Sequence, residues 1–500
     1  MNMGRNLLAG LANSIWSALI GFAVVPFYLK YLGIEAYGLI GFFVTTQAVL
    51  SLLDMGMAPT INREVARCSA SGELKEAGKL LHTLAVVYWC MAGAISLLIL
   101  VLAPFIAEYW LQSKQLSVQT ISHAMMLMGV VVACRWPIGL YQGAIIGAQR
   151  LTVSSGINMT MVTIGSAGAV AILAFISPTI EAFFIWQACV GLTYAIAMRF
   201  SAWRIIGKAK QNRFEIEKLK SVWRFTAGMS GIGLTALVFT QMDKVILSKM
   251  LGLEKFGHYM LATVVVSGLY VLITPVYNVI YPRFSALVAT GETEKLAELY
   301  RMGTRLLVSV IFPIAMVLAV FGSELVQMWT GNLVIASSVA PVIAFLAIGS
   351  AMHGAMYFPY ALQLAYGMTR LPLAINIILM IAFVPLIIYF AQAYGAIGGA
   401  LAWLVLHVLY MLLGTWLTHR YLLKGVGIIW LLQDIGMPLM LTLLMGVVGY
   451  FAVHRTEYSV LVKLICGSML ALVAIALSIA TSRQLCAVIQ ENLNGIKDAA

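Results

Sequence analysis

Charged and titratable residues interrupt several apolar stretches of this sequence, and a charge inside hydrocarbon is costly enough to mark a candidate functional group. Arg135 stands in "VVACRWPIGLYQG", well inside an apolar run and two residues before Pro137. A guanidinium offers a rigid fork of donors that grips phosphate or carboxylate bidentately, so Arg135 is a candidate anchor for an anionic substrate. The competing reading is a structural pair with a buried acid. His353, in "AMHGAMYF" of a later run, can share an anion or sense pH, although a lone histidine more often simply hydrogen-bonds in place. Asp54 is a candidate proton or Na⁺ site, with a helix-packing hydrogen bond as the alternative. It precedes Arg63 by nine residues, about 13 Å along a continuous helix. Asp243 and Lys244 lie about 6–9 Å from the outer end of their run. Neighbours on a helix point about 100° apart, so these two are not expected to bond to each other. Lys244 is expected to snorkel outward, leaving Asp243 inside as a gate, an ion-coupling group or half of a structural pair. Arg63 and Arg283, just past the ends of apolar runs, can receive an entering anion or anchor the chain at the interface.

The elements that hold these residues follow from composition. Of 500 residues, 62% are hydrophobic and 10% charged, with a mean hydropathy of +0.95. A soluble chain carries charge on about a quarter of its residues, so lipid must be the solvent here. Fourteen apolar runs, the first at 11–30 and the last at 459–481, reach the ~20 residues that a crossing needs. Each crossing must satisfy its own backbone, and runs this long do so as helices. The expected fold is all-α, a polytopic membrane protein with about fourteen transmembrane helices. With the amino terminus inside, 23 of the 31 Lys and Arg fall on one side. That bias puts both termini in the cytoplasm and explains the net charge of +12 without nucleic acid. Arg5 and the run after it read as the first span, since no small-residue cleavage site follows. The six cysteines are scattered and form no metal or disulfide framework.

The sequence also repeats itself. "KYLGIEAYG" (Lys30 to Gly38) returns as "KMLGLEKFG" (Lys249 to Gly257), "SGE" at Ser71 as "TGE" at Thr290, and "GAQRL" at Gly147 as "GMTRL" at Gly367. Arg63 and Arg283 share the offset of about 220 residues. In the repeated phrase, Lys can snorkel, Gly breaks the helix, and Glu meets the positive end of the next helix. Six spans separate the copies, an even number, so both face the same way as a parallel repeat. The organisation is then a six-helix lobe over 1–210, a second over 211–425, two extra helices over 426–482 and a cytoplasmic tail over 483–500, with a basic linker at 199–224. Two-lobed repeats of this kind hold substrate between lobes that rock alternately. There is no GxxxxGK[ST] phosphate loop for a pump, and the short outer loops leave little room for a glycosyl-transfer site.

"MDKVILSKMLGLEKFGHY" (Met242 to Tyr259), "LLDMGMAPTINREVA" (Leu52 to Ala66) and the "YLGIEAYG" turn resemble polysaccharide exporters of the multidrug/oligosaccharidyl-lipid/polysaccharide (MOP) superfamily. Within it the chain is most similar to the Wzx-type O-antigen or repeat-unit flippases, over roughly residues 10–420. The resemblance implies a bacterial inner-membrane flippase, not an enzyme, that moves undecaprenyl-pyrophosphate-linked oligosaccharide from the inner to the outer leaflet through a cationic cavity. It implies no cofactor, coupling to an H⁺ or Na⁺ gradient or to membrane potential, and a polysaccharide polymerase and chain-length regulator as partners. Arg63 and Arg283 would then receive the pyrophosphate. Fourteen spans depart from the usual twelve of that group and match the lipid II flippase branch, whose extra pair is associated with the lipid tail. The alternatives are a MOP-type drug exporter, which would favour an acidic cavity, and a polytopic polymerase or ligase. Aromatics such as Tyr277, Tyr281, Tyr357 and Tyr360 offer faces for sugars, but belts and packing account for most aromatics in spans.

Overall fold

The computed structural model describes residues 3–54, 56–71, 74–207, 234, 237–482 and 485–486. The linker beyond residue 207, the Gly72 and Glu73 of "SGE" and most of the tail 483–500 lie outside the described residues. Among those described there is no β-strand. The helices are α1 (Met3–Leu50), α2 (Met57–Ala70), α3 (Leu74–Tyr109), α4 (Val118–Arg135), α5 (Ile138–Gly147), α6 (Leu151–Phe175) and α7 (Ile180–Ile206). After α8 (237–250) come α9 (Leu253–Thr290), α10 (Thr293–Thr330), α11 (Leu333–Ala355), α12 (Tyr357–Ala365) and α13 (Arg370–Tyr421). The chain ends in α14 (Val426–Ile429), α15 (Met437–Gly449) and α16 (Val460–Ala480), with π-helical turns on either side of α15.

Eleven helical stretches are long and apolar enough to cross a membrane. Two of them hold a crossing in each half, because α1 breaks at Gly33 (φ 80°) and α13 at Gly395 (φ 60°). Counted with α8, the crossings agree with fourteen. Large apolar side chains such as Leu97, Val101, Phe175, Ile381 and Leu472 face outward, the pattern of a surface solvated by lipid. Helix breaks recur at the sequence offset. Gly33 corresponds to Gly252 in the turn between α8 and α9, Trp136 between α4 and α5 to Met356 between α11 and α12, and Ile176 after α6 to Gly395.

By contacts the chain divides into two units, Met1–Gly257 and His258–Ala500. In the first, the two copies of the repeated phrase meet. A Cβ on Gly38 would lie 2.4 Å from the Leu253 carbonyl oxygen, and a Cβ on Gly257 would lie 2.4 Å from the Ile34 carbonyl oxygen. Gly38 pairs with Gly257, and Ile34 with Leu253, at the same offset of 219 residues, so the crossing is symmetric and only glycine fits. Lys249 donates to the Tyr109 carbonyl instead of snorkelling. Trp110 Nε1 donates to Ser248 Oγ at 3.0 Å, and Leu253 N to the Gln112 carbonyl at 2.7 Å. Glu35 accepts from Ser113 Oγ and from the amides of Lys114, Gln115 and Leu116, so it caps a distant turn and not its own helix. Gly38→Val is expected to force these backbones apart. The cost is about 1–3 kcal/mol or more, as for other overpacked contacts, read as a lower melting temperature in detergent.

In the second unit, two ionic clamps join the carboxyl-terminal helices to α10. Arg301 Nε contacts Asp434 Oδ2 at 2.7 Å, while Arg305 donates to the Gln433 carbonyl at 2.8 Å and to Thr481 Oγ1 at 2.7 Å. Toward the other end of α10, Glu324 faces His454 at 2.9 Å and Lys463 at 3.7 Å.

Candidate functional site

Pro137 has no amide hydrogen to continue the α4 ladder, and the chain breaks there before resuming as α5. Arg135, the last residue of α4, lines a cavity of about 510 Å³ within the first unit. Its Nη2 donates to Gln187 Oε1 on α7, and Gln187 Nε2 donates to the Gly165 carbonyl on α6 at 3.3 Å. The Phe43 ring stands 5.9 Å from the guanidinium carbon. Gly191 leaves room for the side chain, since a Cβ there would lie 3.0 Å from Arg135 Cγ. Further along α7, Tyr194 donates to Asn158 Oδ1 at 2.8 Å and Asn158 donates to Asn13 Oδ1 at 2.7 Å. Gln47 and Gln142 also line the cavity and make no hydrogen bond through their amide groups among the described residues. No described carboxylate pairs with Arg135. The reading of Arg135 as half of a buried ion pair therefore finds no partner here, and the arrangement is a cationic, hydrogen-bonding pocket with an aromatic side.

The other candidates are dispersed. His353, on α11 in the second unit, has Nδ1 2.8 Å from the Tyr270 hydroxyl, and its ring centroid lies 4.6 Å from that of His407. Tyr357, Trp403 and Tyr410 also approach it. His407 is fully buried, and its Nδ1 donates to the Trp403 carbonyl at 2.8 Å. His407 was not singled out from the sequence, yet it stands in "WLVLHVLYM" and meets the same criterion as His353. Tyr277 stacks on Tyr281 and Tyr360, at 5.7 and 6.2 Å between centroids.

Asp54 accepts from the Tyr88 hydroxyl and from the Ala58 amide at 3.4 Å, a contact that ties α3 to the start of α2. The helix expected to run on from Asp54 to Arg63 is interrupted. Gly56 adopts φ 77°, a left-handed conformation that glycine takes without steric cost, and Arg63 sits exposed on the separate helix α2. Asp243 and Lys244 do pair, at 3.1 Å, and Lys244 also donates to the Thr240 carbonyl at 2.9 Å. This corrects the expectation from helical angles. The four-carbon lysine stem curls back around the helix, and both groups are largely buried, where an unpaired charge would be expensive.

Arg283 lies exposed within α9, one residue after Pro282, so it and Arg63 share an offset but not a local structure.

An apolar groove of about 300 Å³ lies within the second unit, between α10, α11 and α15, with Phe312, Met316, Met352, Leu443 and Val447 on its walls.

Comparison with known proteins adds independent findings. A family model described as "Polysaccharide biosynthesis protein" matches residues 30–337. A Shigella flexneri protein named "Putative O-antigen transporter" is 21% identical over 422 residues, covering 82% of this chain and 98% of its own. Among solved structures, the lipid II flippase MurJ in an inward closed conformation superposes with a TM-score of 0.68 at 14% identity, over 94% of this chain and 98% of that one. An inward-facing multidrug resistance MATE family transporter of the MOP superfamily gives 0.63 at 12% identity, over 82% and 98%. At these identities the structural likeness is one of fold.

Proposed function

The chain belongs to the polysaccharide biosynthesis protein family, and on that premise we propose that it is a flippase for undecaprenyl-pyrophosphate-linked oligosaccharide repeat units. It would carry them from the inner to the outer leaflet of a bacterial inner membrane by alternating access, with both termini in the cytoplasm. An ion gradient or the membrane potential would drive the cycle, and a polymerase would receive the product. The observation that carries this reading is Arg135, a cation in a polar intramembrane pocket with no described acid beside it. Such a pocket suits an anionic, hydroxyl-rich cargo, whereas an exporter of cationic drugs would need the opposite charge. The apolar groove beside α15 supports a cargo with a long hydrocarbon tail. The test is a deletion strain. Lipid-linked repeat units should accumulate facing the cytoplasm while surface polysaccharide disappears; unchanged levels of both would refute the proposal.

A further inference from the structure

We propose that the Arg135 pocket is a saccharide subsite, which takes one sugar residue bearing a single acid group, with the acid on Arg135 and the ring hydroxyls on glutamine side chains. This rests on the flippase reading and narrows it, because it assigns the pocket to the glycan and not to the pyrophosphate.

Charge matching is the first argument. Among the described residues, Arg135 is the one cation lining the pocket. A pyrophosphate diester carries two negative charges, and burying the second without a partner costs several kcal/mol. One carboxylate matches one guanidinium, in a bidentate geometry that the fork of donors favours. Arg135 commits only Nη2, to Gln187, which leaves other donors for a ligand.

The neutral groups are the second argument. Gln47 and Gln142 face the same space with amide groups that have no described hydrogen-bond partner. A primary amide donates and accepts at once, as neighbouring sugar hydroxyls require of a partner, whereas a phosphate oxygen can only accept. Asn158 is already committed to Asn13 and Tyr194 and forms a fixed wall. A volume of about 510 Å³ lies within the ordinary range for small-molecule sites, about 300–1,000 Å³.

The test uses the purified full-length protein in lipid nanodiscs, with sodium glucuronate, glucose and inorganic pyrophosphate as probes and saturation-transfer NMR as the readout. Glucuronate should bind more tightly than glucose. Arg135→Gln should weaken glucuronate about tenfold or more, the worth of a hydrogen bond to a charged group, and should erase its advantage over glucose. Gln142→Leu should weaken both sugars. Gly191→Val, which fills the space beside Arg135 while keeping every polar group, should block both, and comparable melting temperatures check that the variants fold. The proposal is overturned if wild type shows no glucuronate signal, if pyrophosphate displaces glucuronate, or if the signal survives Arg135→Gln and Gln142→Leu. These results are separable from the function itself. Accumulation of lipid-linked units in the deletion strain with no sugar bound here removes only the subsite.

Discussion

Arg135→Ala is expected to cut surface polysaccharide by about 10- to 100-fold at an unchanged level of protein in the membrane, the loss of about 1.5–3 kcal/mol of charge-assisted binding. The physical reason transport and stability separate is that no acid among the described residues pairs with Arg135. Removing one member of a buried ion pair strands the other and destabilises the fold. Arg135 bonds to the neutral Gln187, which keeps its second bond to Gly165, so no charge is stranded. Arg135→Lys should fall between wild type and Ala, because it keeps the charge and loses the fork. Normal glycan from Arg135→Ala at normal expression would remove this residue from the mechanism.

Asp434→Ala should show the opposite signature. Asp434 is 3% exposed, and its carboxylate serves Arg301 at 2.7 Å and Arg305 at 3.9 Å. The neighbouring Trp430 is fully buried, donates to Thr304 Oγ1 at 3.0 Å and stacks on Tyr300. Alanine at 434 leaves two guanidinium groups facing each other without their anion, at a cost of about 3–5 kcal/mol. The expected result is a protein that melts several degrees lower in detergent and accumulates poorly, with transport falling only in proportion to the protein that remains. A melting temperature equal to wild type would mean that Gln433 and Thr481 suffice to hold α10 to the terminal helices.

The two variants also show how unevenly the site could be read from sequence. Arg135 is legible because burial in lipid makes any charge conspicuous. Nothing local in the sequence connects Arg301 and Arg305 to Asp434, about 130 residues later. His407 obeys the same rule as His353, a titratable ring inside an apolar run. The pairing of Lys244 with Asp243 escapes a sequence reading because helical angles describe where Cβ points, not where a flexible four-carbon stem can reach.

By itself the sequence determined the solvent, the helix number and the repeat. These depend on composition and periodicity, which lipid enforces residue by residue along each span. Only the tertiary structure decided which residues meet. It showed that the two copies of one nine-residue phrase pack against each other at Gly38 and Gly257, where the sequence had supplied only their offset. It also showed that, among the described residues, Arg135 meets amides and an aromatic ring and no acid. Contacts of that kind join residues tens to hundreds of positions apart, and their energies come from close approach and exclusion of water. No local pattern encodes them.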